Sequence, residues 1–318
     1  MSEREAERQA TDRGYVRLGE GGGGVKEEPV GGRVVVEHRV QAGDPLRASE
    51  LLAGLSGLSR AAVKDAMLKG AVWWRRPGSA GGKKRLRRAS AELRPGDAIA
   101  LYYDPDILRR EPPAATCLED RGAYSVWHKP AGLLAQGTRF GDHASLLRQA
   151  EKGFGRPRPV YLVHRIDREA AGLMLIAHTP ATARDLSRAL AAADTEKRYR
   201  AEVRGDMAAT HGRGGRIDLP LDDKPATTTY RVVSYDPATN ASVLDVWIGT
   251  GRLHQIRRHL AAVGHPVLGD PRYGRGNADP RGLRLAAVRL ALRCPVTGQR
   301  ATFELPVGGD TQSRGIQG

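Results

Sequence analysis

The amino-acid sequence predicts an α+β protein in which a mixed, largely antiparallel sheet follows a small α/β domain. Strand-like runs over 172–178, 198–203, 228–233 and 242–248 are separated both by helical segments and by direct turns. Direct turns join antiparallel strands, whereas helical crossovers also allow parallel pairs, so the combination favours a mixed sheet. The chain has 318 residues, of which 40% are hydrophobic, and this is enough for two folded units.

Composition along the chain predicts five segments. Residues 1–32 contain a run of four glycines and few aliphatic residues, so we expect a disordered tail that buries too little apolar surface to fold. A small domain is predicted over 33–105 and a proline-containing linker over 106–120. The larger domain is predicted over 121–306, and a polar tail follows over 307–318.

Helix signals occur in both domains. In the small domain, amphipathic helices are predicted over 45–52 and 59–68. Ser59 is the expected N-cap of the second helix, and Gly70 is expected to end it. In the larger domain, the most regular helical segment extends over 180–192 and begins with a proline, which suits the first turn of a helix.

A strongly basic stretch separates two strand-like segments, 71–74 and 98–102. Residues 75–94 hold eight Lys or Arg residues against one acidic residue, and the whole chain has a net charge of +15. Such an excess points to a polyanionic partner, because cations that neutralise phosphates release condensed counterions. The alternative is a solvated basic face. Five side chains of this stretch are candidates for contacts with a nucleic-acid backbone: Lys83, Lys84, Arg85, Arg87 and Arg88.

Several other classes of protein are disfavoured. No apolar run approaches the ~20 residues of a membrane helix, and no apolar signal segment is visible near residue 1, so we expect a cytoplasmic protein. Cys117 and Cys294 form no CxxC pair and no disulfide framework. His254 and His259 are five residues apart with no glutamate after the first, so the HExxH zinc pattern is absent and no metal site is expected.

The first candidate for chemistry is Asp167, which lies between Arg165 and Arg168 just before an apolar strand. Neighbouring cations favour the ionised carboxylate, the form that a nucleophile or a base needs at neutral pH. An ordinary ion-pair cluster on the surface would produce the same pattern of charges.

Two further candidates lie on predicted regular elements. Arg257 falls within a predicted helix, 253–263, beside the apolar positions of Ile256 and Leu260, so it could be a partly buried partner of a carboxylate. The alternative is a solvated basic helix that contacts phosphate. Tyr199 shares a strand face with alanine and valine, and could be either a core ring or a ring that stacks on a base.

Taken in order, four motifs resemble one family: WHKPAGLLAQGT, HRIDREAAGLMLIAHT, KRYRAEVRG and GTGRLHQIRRHLAAVGHPVLGDPRYG. Together they resemble the RNA pseudouridine synthases of the large ribosomal-RNA/tRNA-acting branch, over roughly 124–305. The segments SRAAVKDAMLKGAVWW and LRPGDAI are similar to the αL-type RNA-binding module that precedes many RNA-modifying enzymes. The resemblance implies the pseudouridine synthase fold behind a small RNA-binding domain.

The resemblance also implies a reaction and roles for three catalytic residues. The family breaks the N-glycosidic bond of a uridine, turns the base and rejoins it through carbon. Asp167 matches the essential aspartate, which either forms a covalent adduct or acts as a base on the ribose. Tyr199 matches the tyrosine that packs on the target base and can serve in the closing proton removal. Arg257 matches the basic residue that pairs with the aspartate.

The same resemblance implies a set of residues that meet the substrate. Arg165 matches the side chain that fills the gap left by a flipped nucleotide, since a stacked base must leave its strand before the glycosidic bond can react. Four more positions match segments that approach the substrate: His164, Arg252, His254 and Gln255. The reaction needs no change of redox state and no activated donor, so no metal or organic cofactor is implied.

The partner implied is RNA. The small domain favours large-subunit ribosomal RNA, tRNA is the alternative, and the family's habit is a monomer. Two rival functions remain open from sequence: a non-catalytic RNA-binding or ribosome-assembly factor, and a metal-dependent hydrolase or nuclease. The three matched residues speak against the first rival, and the lack of a ligand cluster in the sequence speaks against the second.

Overall fold

The computed structural model describes residues 16–18, 32–79, 81–275 and 277–306. The chain divides into two units, of which the first comprises Met1–Pro112 with Gln136–Arg148 and the second Pro113–Ala135 with Gln149–Gly318. The segment 136–148 therefore belongs to the first unit although both of its flanks belong to the second.

The predicted tails lie largely outside the described residues. All of 307–318 is outside them, and of 1–32 only 16–18 and Gly32 are described. Within that predicted tail, Val16–Leu18 forms a short strand that pairs in parallel with 34–36, which sequence reasoning did not anticipate. The stretch predicted as a linker, 106–120, also contains regular structure at both ends: a helical turn begins just before it and a strand occupies its last five residues.

In the described part of the first unit, a five-stranded sheet has the order β1-β2-β5-β3-β4. The β1–β2 pair is parallel and the other pairs are antiparallel. The strands are β1 Val16–Leu18, β2 Val34–Arg39, β3 Val72–Arg75, β4 Lys84–Arg85 and β5 Ala98–Tyr103. The helices are α1 Ala48–Ser56, α2 Arg60–Leu68 and α3 Pro105–Leu108.

The ends of α1 and α2 follow local chemistry. The expected cap of α2 is confirmed, because Ser59 accepts a hydrogen bond from the amide of Ala62 at 3.2 Å. Gly70 follows α2 with φ +82°, a left-handed conformation that favours glycine. The prediction for α1 was too early by three residues, because Arg47 keeps extended backbone and forms a β-bridge with Glu92.

In the second unit, the described strands form one sheet whose main path has the order β11-β12-β13-β10-β14-β9-β7-β6. Strand β15 pairs with β14, and β8 pairs with β9. The β9–β14 pair is parallel and the others are antiparallel, so the predicted mixed, largely antiparallel sheet is confirmed. The strands are β6 Thr116–Asp120, β7 Tyr124–Lys129, β8 Tyr161–Leu162, β9 Ala171–Ala177, β10 Glu196–Arg204, β11 Gly214–Asp218, β12 Thr227–Asp236, β13 Ala241–Ile248, β14 Leu285–Arg293 and β15 Arg300–Glu304.

Four more helices follow in the chain: α4 Leu146–Lys152, α5 Pro180–Ala191, α6 Met207–His211 and α7 Gln255–Ala262. The last three bury apolar side chains in two hydrophobic clusters. Helix α5 buries Leu186 and Leu190 against strands β7, β9 and β14. Helix α7 buries Ile256 and Leu260 in a cluster with residues of β10 and β13. This burial fixes which face of α7 is left to carry polar side chains.

The parallel contact between β9 and β14 depends on Gly172. This residue has φ +126°, and a Cβ on it would lie 2.4 Å from both the amide nitrogen and the carbonyl oxygen of Ala287. Ala287 is also the partner of Tyr199 in the β10–β14 pair. The segment that leads into β9, which contains Asp167, is thereby brought to the strand that carries Tyr199. In the described ranges, no helix is long and apolar enough to cross a membrane.

Candidate active site

The loop that carries Asp167 is held at three points. The Nε2 atom of His164 accepts a hydrogen bond from the amide of Leu175 in β9 at 2.9 Å. Ile166 is buried. The ammonium of Lys129 donates to the carbonyl oxygen of Arg168 at 3.1 Å. With residues 164, 166 and 168 anchored, the intervening Asp167 keeps 18% of its side chain exposed.

His164 is therefore part of the support of the loop. Burial, together with the nearby charge of Lys197, lowers the pKa of His164 to about 4, so its ring is neutral at physiological pH. The nitrogen that accepts the hydrogen bond from Leu175 is fully engaged. The sequence placed His164 among the residues that meet the substrate, and the geometry gives it a structural contact with β9.

Asp167 meets the guanidinium of Arg257, which extends from α7. The Nη1 atom of Arg257 donates to Oδ2 of Asp167 at 3.1 Å. The side chain of Arg257 is only 1% exposed, so α7 is not the solvated basic helix of the alternative interpretation. The same Nη1 lies 3.6 Å from Oε2 of Glu169. Oδ1 of Asp167 accepts no side-chain hydrogen bond among the described residues, which leaves a free lone pair on a partly exposed carboxylate.

Arg257 is oriented by a second carboxylate that sequence reasoning missed. Its Nε and Nη2 atoms donate to the two oxygens of Asp270, each at 2.7 Å, and the side chain of Asp270 is 0% exposed. Burial opposes ionisation of Asp270, but hydrogen bonds from Arg257 and from the amides of Arg272 and Tyr273 lower its pKa. The pair is a fork-to-fork contact that fixes the plane of the guanidinium. The signal was the aspartate in the GHPVLGDPRYG segment of the fourth motif.

Lys129 is a second residue that the sequence analysis left out. Its side chain is fully buried, and its Nζ donates to the carbonyl oxygens of Pro130, Leu133 and Arg168 at 2.8–3.1 Å. Burial lowers the pKa of Lys129 to about 7, and the carboxylates of Glu169 and Asp167 oppose that effect. Three carbonyl acceptors match the three donors of an ammonium group, so the charged form is well satisfied in place.

His254 approaches Asp167 from the N-terminus of α7. Its Nε2 lies 3.9 Å from Oδ1 of Asp167, and its Nδ1 lies 3.0 Å from the hydroxyl of Tyr273. The backbone of His254 is left-handed, with φ +52°. Burial is the largest cause that lowers the pKa of His254, so the neutral ring is favoured.

Tyr199 lies on β10 within the apolar cluster around α7. Burial raises its pKa to about 12, and the negative charge of Asp167 acts in the same direction. The phenol is therefore protonated at neutral pH, and it is electrostatically coupled to Asp167. The structure thus brings Asp167, Tyr199 and Arg257, which are far apart in sequence, to one place in the second unit.

The other residues predicted to meet the substrate differ in their surroundings. Arg165 is exposed. Arg252 is partly buried and donates to the carbonyl oxygen of Pro225 at 3.3 Å. Gln255 is buried: its oxygen accepts from Thr250 at 2.8 Å and from the amide of Arg252 at 3.1 Å, and its nitrogen donates to backbone in β12 at 2.8 Å. Gln255 thus braces the loop before α7.

In the first unit, the basic stretch divides into two groups. Arg85 and Arg87 both form ion pairs with Asp142, and Arg85 also donates to the carbonyl oxygen of Thr138 at 2.8 Å. The guanidinium of Arg85 lies 4.2 Å from the ring centre of Trp73, and burial lowers its pKa to about 10. By contrast, three members of the stretch are exposed: Lys83, Lys84 and Arg88.

In the described ranges, no group of three or more His, Cys, Asp or Glu side chains could hold a metal ion.

A family model described as RNA pseudouridylate synthase matches residues 123–262, which include Asp167, Tyr199 and Arg257. A protein of Chloroflexus aurantiacus, named as an uncharacterized RNA pseudouridine synthase, is 32% identical over 305 residues, or 88% of this chain and 92% of the relative. This chain belongs to the RNA pseudouridine synthase family. It is an isomerase that forms pseudouridine in RNA.

Other members of the family agree with this assignment. The dual-specificity RNA pseudouridine synthase RluA of Escherichia coli O6:H1 is 33% identical over 227 residues, which cover 65% of this chain and 92% of that enzyme. A solved structure, human RNA pseudouridylate synthase domain containing 1, has a TM-score of 0.52 at 21% identity and covers 62% of this chain and 86% of its own. The structural similarity concerns the fold alone, and it agrees with the pseudouridine synthase fold that the motifs predicted.

Proposed function

We propose that this synthase isomerises specific uridines of large-subunit ribosomal RNA, with Asp167 as the residue that reacts with the target nucleotide. The contact between Asp167 and Arg257 carries this proposal, because it holds one oxygen of a partly exposed carboxylate and leaves the other free. Support for the RNA class comes from a relative in Nitrosomonas europaea named ribosomal large subunit pseudouridine synthase D, 33% identical over 57% of this chain. A tRNA substrate is the alternative.

The isomerisation breaks the bond between C1′ and N1 and forms a bond between C1′ and C5. C5 loses its proton and N1 gains one, so the product has the same composition as the substrate. The free Oδ1 of Asp167 has the lone pair needed either to bond to the sugar or to remove a proton from the ribose. The buried guanidinium of Arg257 compensates the carboxylate charge, and Asp270 keeps that guanidinium in place. The arrangement is compatible with both routes.

We assign Tyr199 the surface on which the uracil packs. Its phenol is protonated because burial raises its pKa to about 12, and the negative charge of Asp167 adds to that effect. When Asp167 is neutralised by bonding or by protonation, this electrostatic effect disappears and the pKa of the phenol falls, so the phenolate, the form that can accept a proton, becomes more accessible. Such a coupling suits a residue that acts in the last step, the removal of the proton from C5.

Arg165 is proposed to enter the space that the flipped nucleotide vacates. It is exposed and lies two residues before Asp167, on a loop held by Ile166 and Lys129. Extrusion of a base costs a few kcal/mol, and a planar cation that stacks between the neighbouring bases offsets part of that cost. Arg252 and His254 are proposed to lie beside the nucleotide, while Gln255 and His164 support their loops.

The exposed cations of the first unit are proposed to contact the RNA backbone. Lys83, Lys84 and Arg88 are exposed and can meet phosphates, whereas Arg85 and Arg87 are engaged with Asp142 and position the stretch. We also propose that the enzyme acts as a monomer in the cytoplasm and that no cofactor takes part. A reaction that moves one bond within a substrate and changes no oxidation state has no need of an electron carrier.

The test is a modification assay with purified protein on large-subunit ribosomal RNA and on total tRNA, with pseudouridines mapped by carbodiimide labelling and primer extension. Asp167→Asn should lower the rate by about 10³-fold or more, because a neutral amide is a poor nucleophile and a poor base, while RNA binding stays nearly unchanged. Asp222→Asn is the matched control, since Asp222 is an exposed aspartate that also pairs with an arginine of α7, Arg258. Product formation by Asp167→Asn at the rate of the control would contradict the role of Asp167. Pseudouridine found only in tRNA would show that tRNA, and not ribosomal RNA, is the substrate.

A further inference from the structure

A short loop, 270–273, supports both side chains that approach Asp167. At its first residue, Asp270 holds Arg257 through two hydrogen bonds of 2.7 Å. At its last residue, the hydroxyl of Tyr273 lies 3.0 Å from Nδ1 of His254. The loop is itself ordered by Asp270, whose Oδ1 accepts the amide of Tyr273 at 3.0 Å. The ring of Tyr273 also lies 5.3 Å from the guanidinium carbon of Arg257.

The two nitrogens of His254 face different partners. Nδ1 faces the hydroxyl of Tyr273, which can donate or accept, and Nε2 faces the carboxylate of Asp167, which can only accept when ionised. A neutral imidazole carries one proton. If that proton is on Nε2, both contacts are complementary, because the tyrosine donates to Nδ1 and the N–H points at the carboxylate. If the proton is on Nδ1, the lone pair of Nε2 faces a negative oxygen.

We infer that Tyr273 and His254 form a positioning pair in which the carboxylate of Asp167 favours the Nε2–H tautomer, and the tyrosine hydroxyl donates to Nδ1 and holds the ring with that N–H directed at Oδ1 of Asp167. The inference rests on the proposed role of Asp167 as the reacting residue. At 3.9 Å the N–H orients the free oxygen without a full hydrogen bond, and a movement of about 1 Å would complete one. Oδ2 accepts a hydrogen bond from Arg257, and Oδ1 stays free while it faces the N–H of His254 across 3.9 Å, so the two side chains flank the carboxylate from both sides.

Charges around His254 agree with a neutral ring. Burial is the leading cause that lowers its pKa, and the cations Arg257 and Arg272 act in the same direction. Asp167 and Glu169 oppose them without reversing the result. A cationic imidazole would donate from both nitrogens and would need the tyrosine oxygen as an acceptor. The left-handed backbone of His254 places the ring between its two partners at a conformational cost that a solvent-facing histidine would have no reason to bear.

The tautomer can be measured directly by two-bond ¹H–¹⁵N correlation spectra of the histidine rings of the full-length protein. The chain has 9 histidines, and the signals missing in His254→Gln identify those of His254. We expect a protonated Nε2 and a bare Nδ1 in the wild type at neutral pH. A protonated Nδ1 would overturn the inference, and this result needs neither activity nor a Tyr273 variant that folds.

Kinetics supply the second readout. Tyr273→Phe keeps the ring beside Arg257 but loses the donor to Nδ1, so we expect kcat to fall about tenfold or more with little change in KM. The absence of that donor removes a contact that stabilises the neutral ring, so the pKa of His254 should rise and the acid limb of kcat should move to higher pH. Tyr235→Phe is the matched control, because Tyr235 is also partly buried and donates to a side chain, Asn240, at 3.1 Å.

His254→Gln should retain more activity than His254→Ala, because the amide nitrogen of glutamine can occupy the place of Nε2. An unchanged kcat and an unchanged acid limb in Tyr273→Phe would overturn the inference, as would an equal loss at every pH. The proposed function fails separately, if the wild type forms no pseudouridine. In that case the ring spectra still decide whether the positioning pair exists.

Discussion

Arg257 and Asp270 form a two-bond ion pair in which both side chains are removed from solvent, with exposures of 1% and 0%. The remaining nitrogen of the guanidinium, Nη1, points at Asp167. A buried pair adds little net stability when it is formed, but it is costly to break because the surviving partner is left charged in a medium of low polarity. Arg257 can therefore hold the carboxylate of the active site only while Asp270 holds Arg257.

Replacement of Asp270 tests this dependence. Asp270→Asn should lower the free energy of unfolding by about 3 kcal/mol, since Arg257 loses its compensating charge. We expect pseudouridine formation to fall as well, because Nη1 would no longer be aimed at Asp167. Urea unfolding and the modification assay measure the two effects. Asp222→Asn, which breaks an exposed pair with Arg258, should change neither, and an Asp270 variant that behaved like it would contradict the proposed support.

Replacement of Gly172 tests how closely β9 must pack against β14. Gly172→Ala combines a backbone with φ +126° and a Cβ that would lie 2.4 Å from the backbone of Ala287, so we expect a loss of roughly 2 kcal/mol or more of unfolding free energy. Thermal unfolding followed by calorimetry is the measurement. Gly249→Ala is the control, because a Cβ there meets nothing within 4 Å. Equal stability of the two variants would show that β9 can shift away from β14 at little cost.

Substitutions of the exposed cations of the basic stretch should affect RNA binding, whereas substitutions of the cations paired with Asp142 should affect stability. Neutralising Lys83, Lys84 and Arg88 to glutamine should weaken RNA binding and reduce the slope of log K against log salt by about 0.7–0.9 for each phosphate that the variant no longer neutralises. Arg87→Gln breaks an ion pair with Asp142 instead, so it should lower the stability of the first unit and change the salt slope less. Filter binding over a range of salt concentrations measures the slope. A slope unchanged in the triple variant would remove these side chains from the RNA interface.

His164 predicts a pH dependence of stability. Its pKa is about 4 in the folded chain, below the ordinary value of 6.5, so between these values the unfolded state binds the proton more readily. The contribution of His164 is therefore complete above about pH 6.5 and declines as pH falls toward 4, by roughly 3 kcal/mol in total.

His164→Gln keeps an acceptor for the amide of Leu175 but does not titrate. We expect its unfolding free energy to fall less than that of the wild type between pH 6.5 and pH 4, as measured by urea unfolding at a series of pH values. Identical pH profiles for the two proteins would contradict the lowered pKa, since they would show that His164 takes up a proton as readily in the folded chain as in the unfolded one.

Amino-acid order alone was enough to locate several of the regular elements and, through the family resemblance, to nominate Asp167, Tyr199 and Arg257 as candidates. Strand-like runs located β9, β10, β12 and β13 within a few residues, because β9 is a continuous apolar segment and the other strands combine apolar and β-branched side chains. Ser59 could be recognised as a cap because the hydrogen bond it accepts comes from a residue three positions away. Such signals are local, so they can be read without knowledge of the fold.

Tertiary structure decided which charged side chains are exposed and which are engaged. Five neighbouring cations looked equivalent in sequence, yet Arg85 and Arg87 pair with Asp142, more than fifty positions away, while Lys83 and Lys84 do not. Asp270 and Lys129 became visible as supports of the site only once the chain brought them to Arg257 and to the loop of Asp167. The energy of a charge depends on its burial and on partners distant in sequence, and no local pattern contains that information.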